Sequence, residues 1–123
     1  MAKILVVEDD TYIRDLYEEI LKGEGYDVSV AIDGEDGVVK AREGGYDLVL
    51  LDVMMPKLNG LQVLQKLKEQ APQTPNKKIV LLTNLAQDPV VKEAMQTGAS
   101  DFLLKADLNP GQLVEKVKGY LAV

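Results

Sequence analysis

The stretch Leu48–Pro56, LVLLDVMMP, contains the clearest indication of the fold. Four consecutive aliphatic residues without polar alternation are typical of a strand that is buried on both faces, as in a parallel sheet covered by helices. Asp52 ends this run, although a carboxylate is costly to bury without a partner. Asp52 therefore either caps a turn before Pro56 or supplies a negative charge that chemistry at the strand end requires.

Short apolar runs recur along the whole chain, and amphipathic helical patterns separate them. The predicted strands are Ile4–Val7, Val28–Ile32, Leu48–Leu51, Ile79–Leu82 and Phe102–Leu104. The last predicted helix has the clearest start, because Asn109 is a good N-cap and Pro110 suits the first helical position. Strand and helix patterns therefore alternate from one end of the chain to the other.

This alternation predicts an α/β fold of a single domain covering residues 1–123. Parallel strands joined by helices need right-handed crossovers, which place helices on both faces of the sheet. We therefore expect a five-stranded parallel sheet in the order 2-1-3-4-5, doubly wound with five helices, as in flavodoxin-like proteins.

The absence of two residue types limits the possible chemistry. The sequence contains no cysteine and no histidine. This composition excludes disulfides, thiolate nucleophiles, imidazole metal ligands and catalytic triads that use histidine. Any reactive side chain must therefore be a carboxylate, a hydroxyl or a lysine.

The charge distribution bears on partners and location. The chain carries 14 basic and 20 acidic residues, a net charge of −6, and its lysines are scattered among the acids. This pattern argues against a nucleic-acid or anionic membrane partner. The N-terminal apolar run is short and leads directly into acidic residues, unlike a signal peptide or a membrane span. We therefore expect a cytoplasmic protein with no nucleic-acid and no membrane partner.

Polar residues follow the predicted strands at the edge where a doubly wound sheet binds its ligands. Asp9 and Asp10 follow the first strand and Asp52 follows the third, and these two strands are neighbours in the expected order. Thr83 and Lys105 end the fourth and fifth strands. We therefore expect three carboxylates to converge with one hydroxyl and one ammonium group.

Each of these residues also has a structural explanation when it is considered alone. Asp9 or Asp10 could cap the first helix, and Asp52 could be a turn residue. Thr83 could be a β-branched strand end, and Lys105 could be a solvated surface lysine. Their joint occurrence favours a functional site, because carboxylates that crowd together repel one another unless a cation holds them.

The whole chain resembles the receiver domains of bacterial two-component response regulators, and among these it is similar to the single-domain chemotaxis type. The motifs that carry the resemblance match the family in order and spacing. They are Glu8-Asp9-Asp10, Leu51–Pro56 with Gly60, Leu82-Thr83, and Gly98–Lys105.

The resemblance implies specific roles for the residues at the strand ends. By this resemblance, Asp52 is the phosphoacceptor, and Thr83 and Lys105 contact the phosphoryl oxygens. Mg²⁺ is implied as the cofactor, bound by Asp9, Asp10, Asp52 and the backbone carbonyl of Met54. Thr83 and Phe102 are implied as the switch residues that relay phosphorylation.

The resemblance also implies the partners. A sensor histidine kinase or a histidine phosphotransfer protein would donate the phosphoryl group, and an unidentified downstream protein would receive the signal. The domain would not be an enzyme beyond catalysing its own phosphorylation and dephosphorylation. The chain departs from the family pattern at Asn84, Phe102 and Ala106, the last of which replaces a proline. Without that proline, we expect either a trans Lys105–Ala106 peptide bond with a rearranged loop up to Asn109, which is the preferred outcome, or a strained cis bond held by its surroundings.

Two other functions remain open at this point. One is a Mg²⁺-dependent phosphohydrolase that forms an aspartyl phosphate, although Glu8-Asp9-Asp10 lacks the Asp-x-Asp spacing of that class. The other is a pseudo-receiver that binds partners without phosphorylation. A small phosphodonor separates these functions, because a regulator gains one phosphoryl group, a hydrolase turns over other substrates, and a pseudo-receiver stays unmodified.

Overall fold

The computed structural model describes residues 1–85 and 87–122. Its five strands form one parallel sheet in the order β2-β1-β3-β4-β5, as predicted. The strands are β1 (Lys3–Val7), β2 (Asp27–Ala31), β3 (Leu48–Asp52), β4 (Ile79–Thr83) and β5 (Asp101–Leu104). β2 ends one residue earlier than predicted, and Ile32 is more than half exposed beyond it.

Five α-helices connect and flank the strands. They are α1 (Thr11–Gly23), α2 (Gly34–Glu43), α3 (Gly60–Glu69), α4 (Pro89–Thr97) and α5 (Pro110–Leu121). The side chain of the N-cap residue accepts a backbone hydrogen bond at the start of each helix; these residues are Asp10, Asp33, Asn59, Asp88 and Asn109. The predicted start of the last helix is therefore confirmed. Within the described residues, every helix is too short or too polar to cross a bilayer.

The aliphatic run of β3 is explained by its central position in the sheet. All five residues of this strand are buried. Leu48 and Leu50 pack with residues of α1 and α5, whereas Val49 and Leu51 pack with residues of α2, α3 and α4 on the opposite face. Alternate side chains of a strand point to opposite faces, so both faces require apolar residues. The prediction of helices on both sides of a parallel sheet is confirmed.

The strand register determines which polar residues meet at the carboxyl edge. Val7 of β1 pairs with Leu51 of β3, so the residues that follow them, Glu8 and Asp52, lie at the same level. At the far side of the sheet, Thr83 of β4 pairs with Leu104 of β5, the residue directly before Lys105. The sheet therefore brings the polar ends of four strands to one edge.

Two glycines allow helices to pack closely against the loop between β3 and α3. A Cβ atom on Gly60 would lie 2.8 Å from the carbonyl oxygen of Asp52, and one on Gly34 would lie 2.0 Å from that of Leu58. Lys57 in this loop has a positive φ of 69°, and its ammonium lies 3.4 Å from the Asp33 carboxylate. The loop after Asp52 is thus held between the N-terminal ends of α2 and α3.

The chain after β5 follows the expected course. The Lys105–Ala106 bond is trans, because the described residues contain no cis peptide bond. Residues Lys105–Asp107 form one short 3-10 turn, which leads to Asn109 at the start of α5. The expectation of a trans bond in the absence of proline is confirmed.

Asp33 should make the stability of the fold dependent on pH. The backbone N–H of Asp36 donates to Asp33 Oδ1 over 2.8 Å, and this bond, with Lys57, lowers the pKa of Asp33 below its usual value. A lowered pKa in the folded state stabilises the fold above the unfolded pKa of about 3.9, and this contribution is lost as the pH falls through the folded pKa. We expect Asp33→Asn, which keeps the cap, to be less stable than wild type at pH 7 and to approach it at pH 2.

Chemical denaturation at the two pH values measures this difference. Asp33→Ala, which also loses the cap, should cost about a further 1 kcal/mol of unfolding free energy at both pH values. A gap between wild type and Asp33→Asn that is the same at pH 7 and pH 2 would contradict the assignment.

Candidate functional site

Three carboxylates meet at the carboxyl edge of the sheet. Carboxylate oxygens of Glu8, Asp9 and Asp52 all lie within 4.8 Å of one another. Glu8 and Asp52 are buried, at 1% and 3% exposure, whereas Asp9 is exposed. Two of the three acids are thus shielded from water. In such a buried position, an ionised carboxylate is costly unless it is paired.

Lys105 provides a positive charge at this cluster. Its ammonium lies 2.6 Å from Glu8 Oε1 and 3.1 Å from Asp52 Oδ1. Burial alone would lower the pKa of Lys105, but its pairing with the two carboxylates outweighs burial and raises the pKa above its usual value. Lys105 therefore stays charged and joins β5 to the ends of β1 and β3.

One ammonium does not balance two buried carboxylates. Burial and the neighbouring Glu8 raise the pKa of Asp52 to about 8. Burial would also raise the pKa of Glu8, but its contacts with Asp52 and Lys105 lower the pKa overall. Two buried acids that share one ammonium therefore have opposite pKa shifts, raised for Asp52 and lowered for Glu8.

The donor set fits a hard divalent cation. Three carboxylates within reach of one point are the oxygen ligands that Mg²⁺ and Ca²⁺ prefer. Glu8 Oε1 is buried and lies 2.6 Å from the Lys105 ammonium, which it shares with Asp52. A cation at the cluster would offset the negative charge that this single ammonium leaves on the acids.

Asp10 does not belong to this cluster, contrary to the expectation that it shares a metal with Asp9. Its Oδ1 accepts a hydrogen bond from the backbone N–H of Ile13 over 3.0 Å, so the side chain caps α1. Its own backbone N–H donates to Glu8 Oε2 over 3.2 Å. In the structure, Glu8 takes the place that the sequence assigned to Asp10.

Glu8 is the site residue that the sequence analysis missed. Two signals could have identified it. The first is that Asp10 is followed directly by an amphipathic helix and is therefore a natural N-cap. The second is the equal distance of Glu8 and Asp52 from their aliphatic runs, which places them level in neighbouring parallel strands.

Thr83 ends β4, the strand beside β3, and Phe102 lies in β5 two residues before its end. Thr83 is buried at 3% exposure. Its hydroxyl accepts from the backbone N–H of Leu85 over 3.1 Å and donates to the Leu85 carbonyl over 3.2 Å. Phe102 is half-buried and packs against the core on the α4 side of the sheet.

Two large apolar side chains are exposed in the loops at this edge. Met54 and Leu85, each two residues beyond a site residue, are 65% and 66% exposed. The Met54 backbone N–H donates to Asp52 Oδ1 over 3.3 Å. Both side chains are therefore mostly exposed to solvent and are not buried against the helices.

Comparison with known proteins agrees with this geometry. Residues 4–118 match the family described as response regulator receiver domain. The chain is 40% identical over 103 residues to the transcriptional regulatory protein DltR of Streptococcus agalactiae, covering 84% of this chain and 45% of DltR. It therefore spans less than half the length of this relative.

Two solved structures show the same fold over nearly the whole chain. The Vibrio cholerae chemotaxis protein CheY4 is 30% identical, with a TM-score of 0.86, covering 98% of this chain and 99% of CheY4. The receiver domain of the Pseudomonas aeruginosa sensor histidine kinase PA1611, which has a magnesium ion coordinated in its active-site cleft, is 26% identical with a TM-score of 0.82. That likeness covers 99% of this chain and 98% of the PA1611 domain.

The match to the family extends over almost all of the chain, and the acidic cluster lies at the edge of the sheet where a doubly wound fold binds its ligands. The chain belongs to the response regulator receiver domains of two-component systems.

Proposed function

We propose that this chain acts as one phosphoacceptor domain, and that Asp52 takes the phosphoryl group from a histidine kinase or a histidine phosphotransfer protein. Receiver domains are phosphorylated by histidine kinases and signal to downstream targets. The observation that carries the assignment is the buried Asp52 carboxylate, which lies level with Glu8 and 3.1 Å from Lys105. A nucleophile in this environment requires nearby cations to approach a phosphoryl group.

The proposed reaction is an in-line transfer. A carboxylate oxygen of Asp52 attacks the phosphorus atom, and the bond from phosphorus to the donor breaks with its electron pair staying on the donor. Lys105 offsets the negative charge that gathers on the phosphoryl oxygens. When bound, Mg²⁺ would neutralise further charge between the acids and the phosphoryl group. Its ligands would come from Asp9, Asp52 and the Met54 carbonyl, with Glu8 beside them.

Thr83 and Phe102 are the proposed switch residues. A phosphoryl group on Asp52 would offer acceptor oxygens to the Thr83 hydroxyl, which now bonds to the backbone of Leu85. Movement of Thr83 towards Asp52 would vacate space, and Phe102 would turn inwards into it. The result is a shift between two populations of the surface formed by α4, β5 and α5.

The output passes to a protein partner in this proposal, and the domain works in the cytoplasm. It catalyses no reaction beyond its own phosphorylation and dephosphorylation. The expected absence of a nucleic-acid partner stays a prediction, because the relatives include transcriptional regulators. Among the described residues, no feature supports the hydrolase or the pseudo-receiver alternative.

The first test is phosphorylation by a small acyl phosphate in the presence of Mg²⁺. The wild-type chain should gain one phosphoryl group, measured by intact mass, and Asp52→Asn should gain none. Asp10→Asn is the matched control, because it removes one carboxylate from the same region without touching the cluster. Phosphorylation of Asp52→Asn to the wild-type extent would refute the assignment, and an unmodified wild type would favour a pseudo-receiver.

Mg²⁺ should raise the melting temperature, because a ligand that binds only the native state shifts the unfolding equilibrium. Asp9→Asn should lose most of this increase, since Asp9 belongs to the carboxylate cluster. Asp10→Asn should keep it, because asparagine caps a helix as well as aspartate does. The two variants change the net charge equally, and a larger loss in Asp10→Asn than in Asp9→Asn would overturn the revised ligand set.

The phosphorylated state should persist well beyond seconds once the donor is removed. Hydrolysis needs a water placed in line with the bond to Asp52, and polar side chains nearby would orient that water. Met54 and Leu85 offer no such group and are exposed at this edge. Decay of the phosphorylated protein, followed by intact mass, should be slow in wild type and faster in Met54→Asn with Leu85→Glu.

A matched control for this pair is Val39→Asn on α2, which polarises an equally exposed apolar residue in a helix away from the site. It should decay at the wild-type rate. Loss of the phosphoryl group from wild type within seconds would show that these side chains do not protect it.

A further inference from the structure

Arg14 makes an unusual set of contacts for a residue in the first turn of a helix. Its Nη1 donates to the backbone carbonyl of Glu8 over 3.0 Å and also lies 3.3 Å from that of Asp9. Its Nη2 reaches Thr11 Oγ1 at 3.5 Å. The guanidinium thus folds back from α1 onto the segment that links β1 to the helix, and the residue is half-buried there.

The two carbonyls that Arg14 contacts belong to two of the three clustered acids. The N-terminal side of this segment is fixed by the sheet edge, where the Glu8 N–H donates to the Ala31 carbonyl. On its C-terminal side, the Arg14 N–H donates to the Asp10 carbonyl as the first bond of α1. Between these two points, the Arg14 guanidinium contacts the backbone carbonyls of Glu8 and Asp9.

We propose that Arg14 is a positioning residue for the divalent-cation site. By holding the carbonyls of Glu8 and Asp9, it fixes the backbone from which both carboxylates project. Glu8 is then held from a second direction, since the Asp10 N–H donates to its carboxylate. Residues that orient metal ligands in this way commonly affect metal affinity without touching the ion. The inference rests on the proposed function, because it requires that Mg²⁺ binds at the cluster.

A simple charge effect makes the opposite prediction. A guanidinium close to a cation site repels the incoming ion, so its removal would strengthen Mg²⁺ binding. Loss of positioning would weaken binding, because the acids would have to be ordered as the ion binds. The sign of the change in affinity therefore separates the two roles.

Arg14→Met removes the charge and the donors but keeps a long side chain, and Arg14→Lys keeps the charge without the planar fork. Arg42 is the only other arginine in the sequence. It also donates to a backbone carbonyl, that of Lys66 at 3.3 Å, but it does so between α2 and α3. Arg42→Met is therefore a control with the same chemical change and the same change in net charge.

The experiment is calorimetric titration of each variant of this chain with Mg²⁺, at a temperature at which circular dichroism shows all of them folded. We expect the dissociation constant to rise about tenfold in Arg14→Met, the lower end of the range for residues that orient metal ligands. Arg14→Lys should lie between it and wild type, and Arg42→Met should match wild type. A destabilised helix alone would lower the melting temperature without changing the affinity of the folded protein.

Equal or tighter binding by Arg14→Met would overturn the inference while leaving the proposed function intact. Should Arg14→Met fail to fold, Arg14→Lys decides: weaker binding supports positioning, and wild-type affinity overturns it. Absence of Mg²⁺ binding by the wild-type chain would count against the proposed function itself, and Asp9→Asn provides the reference for a lost site.

Discussion

The pairing of two buried carboxylates with one ammonium group is the interaction on which the rest of this site depends. Glu8 and Asp52 are both almost fully buried, and Lys105 lies between them at 2.6 and 3.1 Å. Burying two acids with one compensating charge would be strongly unfavourable if both were ionised. Burial and the neighbouring Glu8 accordingly raise the pKa of Asp52 to about 8. A site in which one ammonium faces two buried carboxylates favours the binding of a further cation.

The rest of the fold keeps Glu8 and Asp52 beside each other. β1 and β3 are hydrogen-bonded neighbours, so the level of Glu8 against Asp52 is fixed by their register and not by flexible side chains. Gly60 lets α3 begin against the Asp52 carbonyl, and a Cβ atom there would be only 2.8 Å away. The backbone positions of the two acids are therefore set by the sheet. Proteins often place such unfavourable groups at functional sites, where the surrounding structure tolerates the cost.

The sequence predicted the sheet correctly but not the full membership of the site, and both outcomes have physical causes. Continuous aliphatic runs identify buried parallel strands, and Asn109-Pro110 identifies a helix start. Three consecutive acids after β1 cannot be separated by composition, because any of them could end the strand or cap the helix. The pairing of Val7 with Leu51 and the cap made by Asp10 distinguish Glu8 from Asp10, and the sequence carries both only as position: Glu8 directly follows an aliphatic run and Asp10 directly precedes a helix. Likewise, the exposure of Met54 and the contacts of the Thr83 hydroxyl depend on loop conformations that periodicity does not encode.

The sharing of Lys105 also suggests how the proposed phosphorylation could reach a distant surface. Lys105 directly follows β5, the strand that carries Phe102, and Thr83 ends the adjacent strand β4. A phosphoryl group on Asp52 would bring nearly two negative charges and new acceptor oxygens to this point. Lys105 would then have to divide its interactions among Glu8 and the phosphoryl oxygens, while Thr83 would gain an acceptor better than the Leu85 carbonyl. Both changes act on the ends of β4 and β5, so the surface beside Phe102 would respond to phosphorylation.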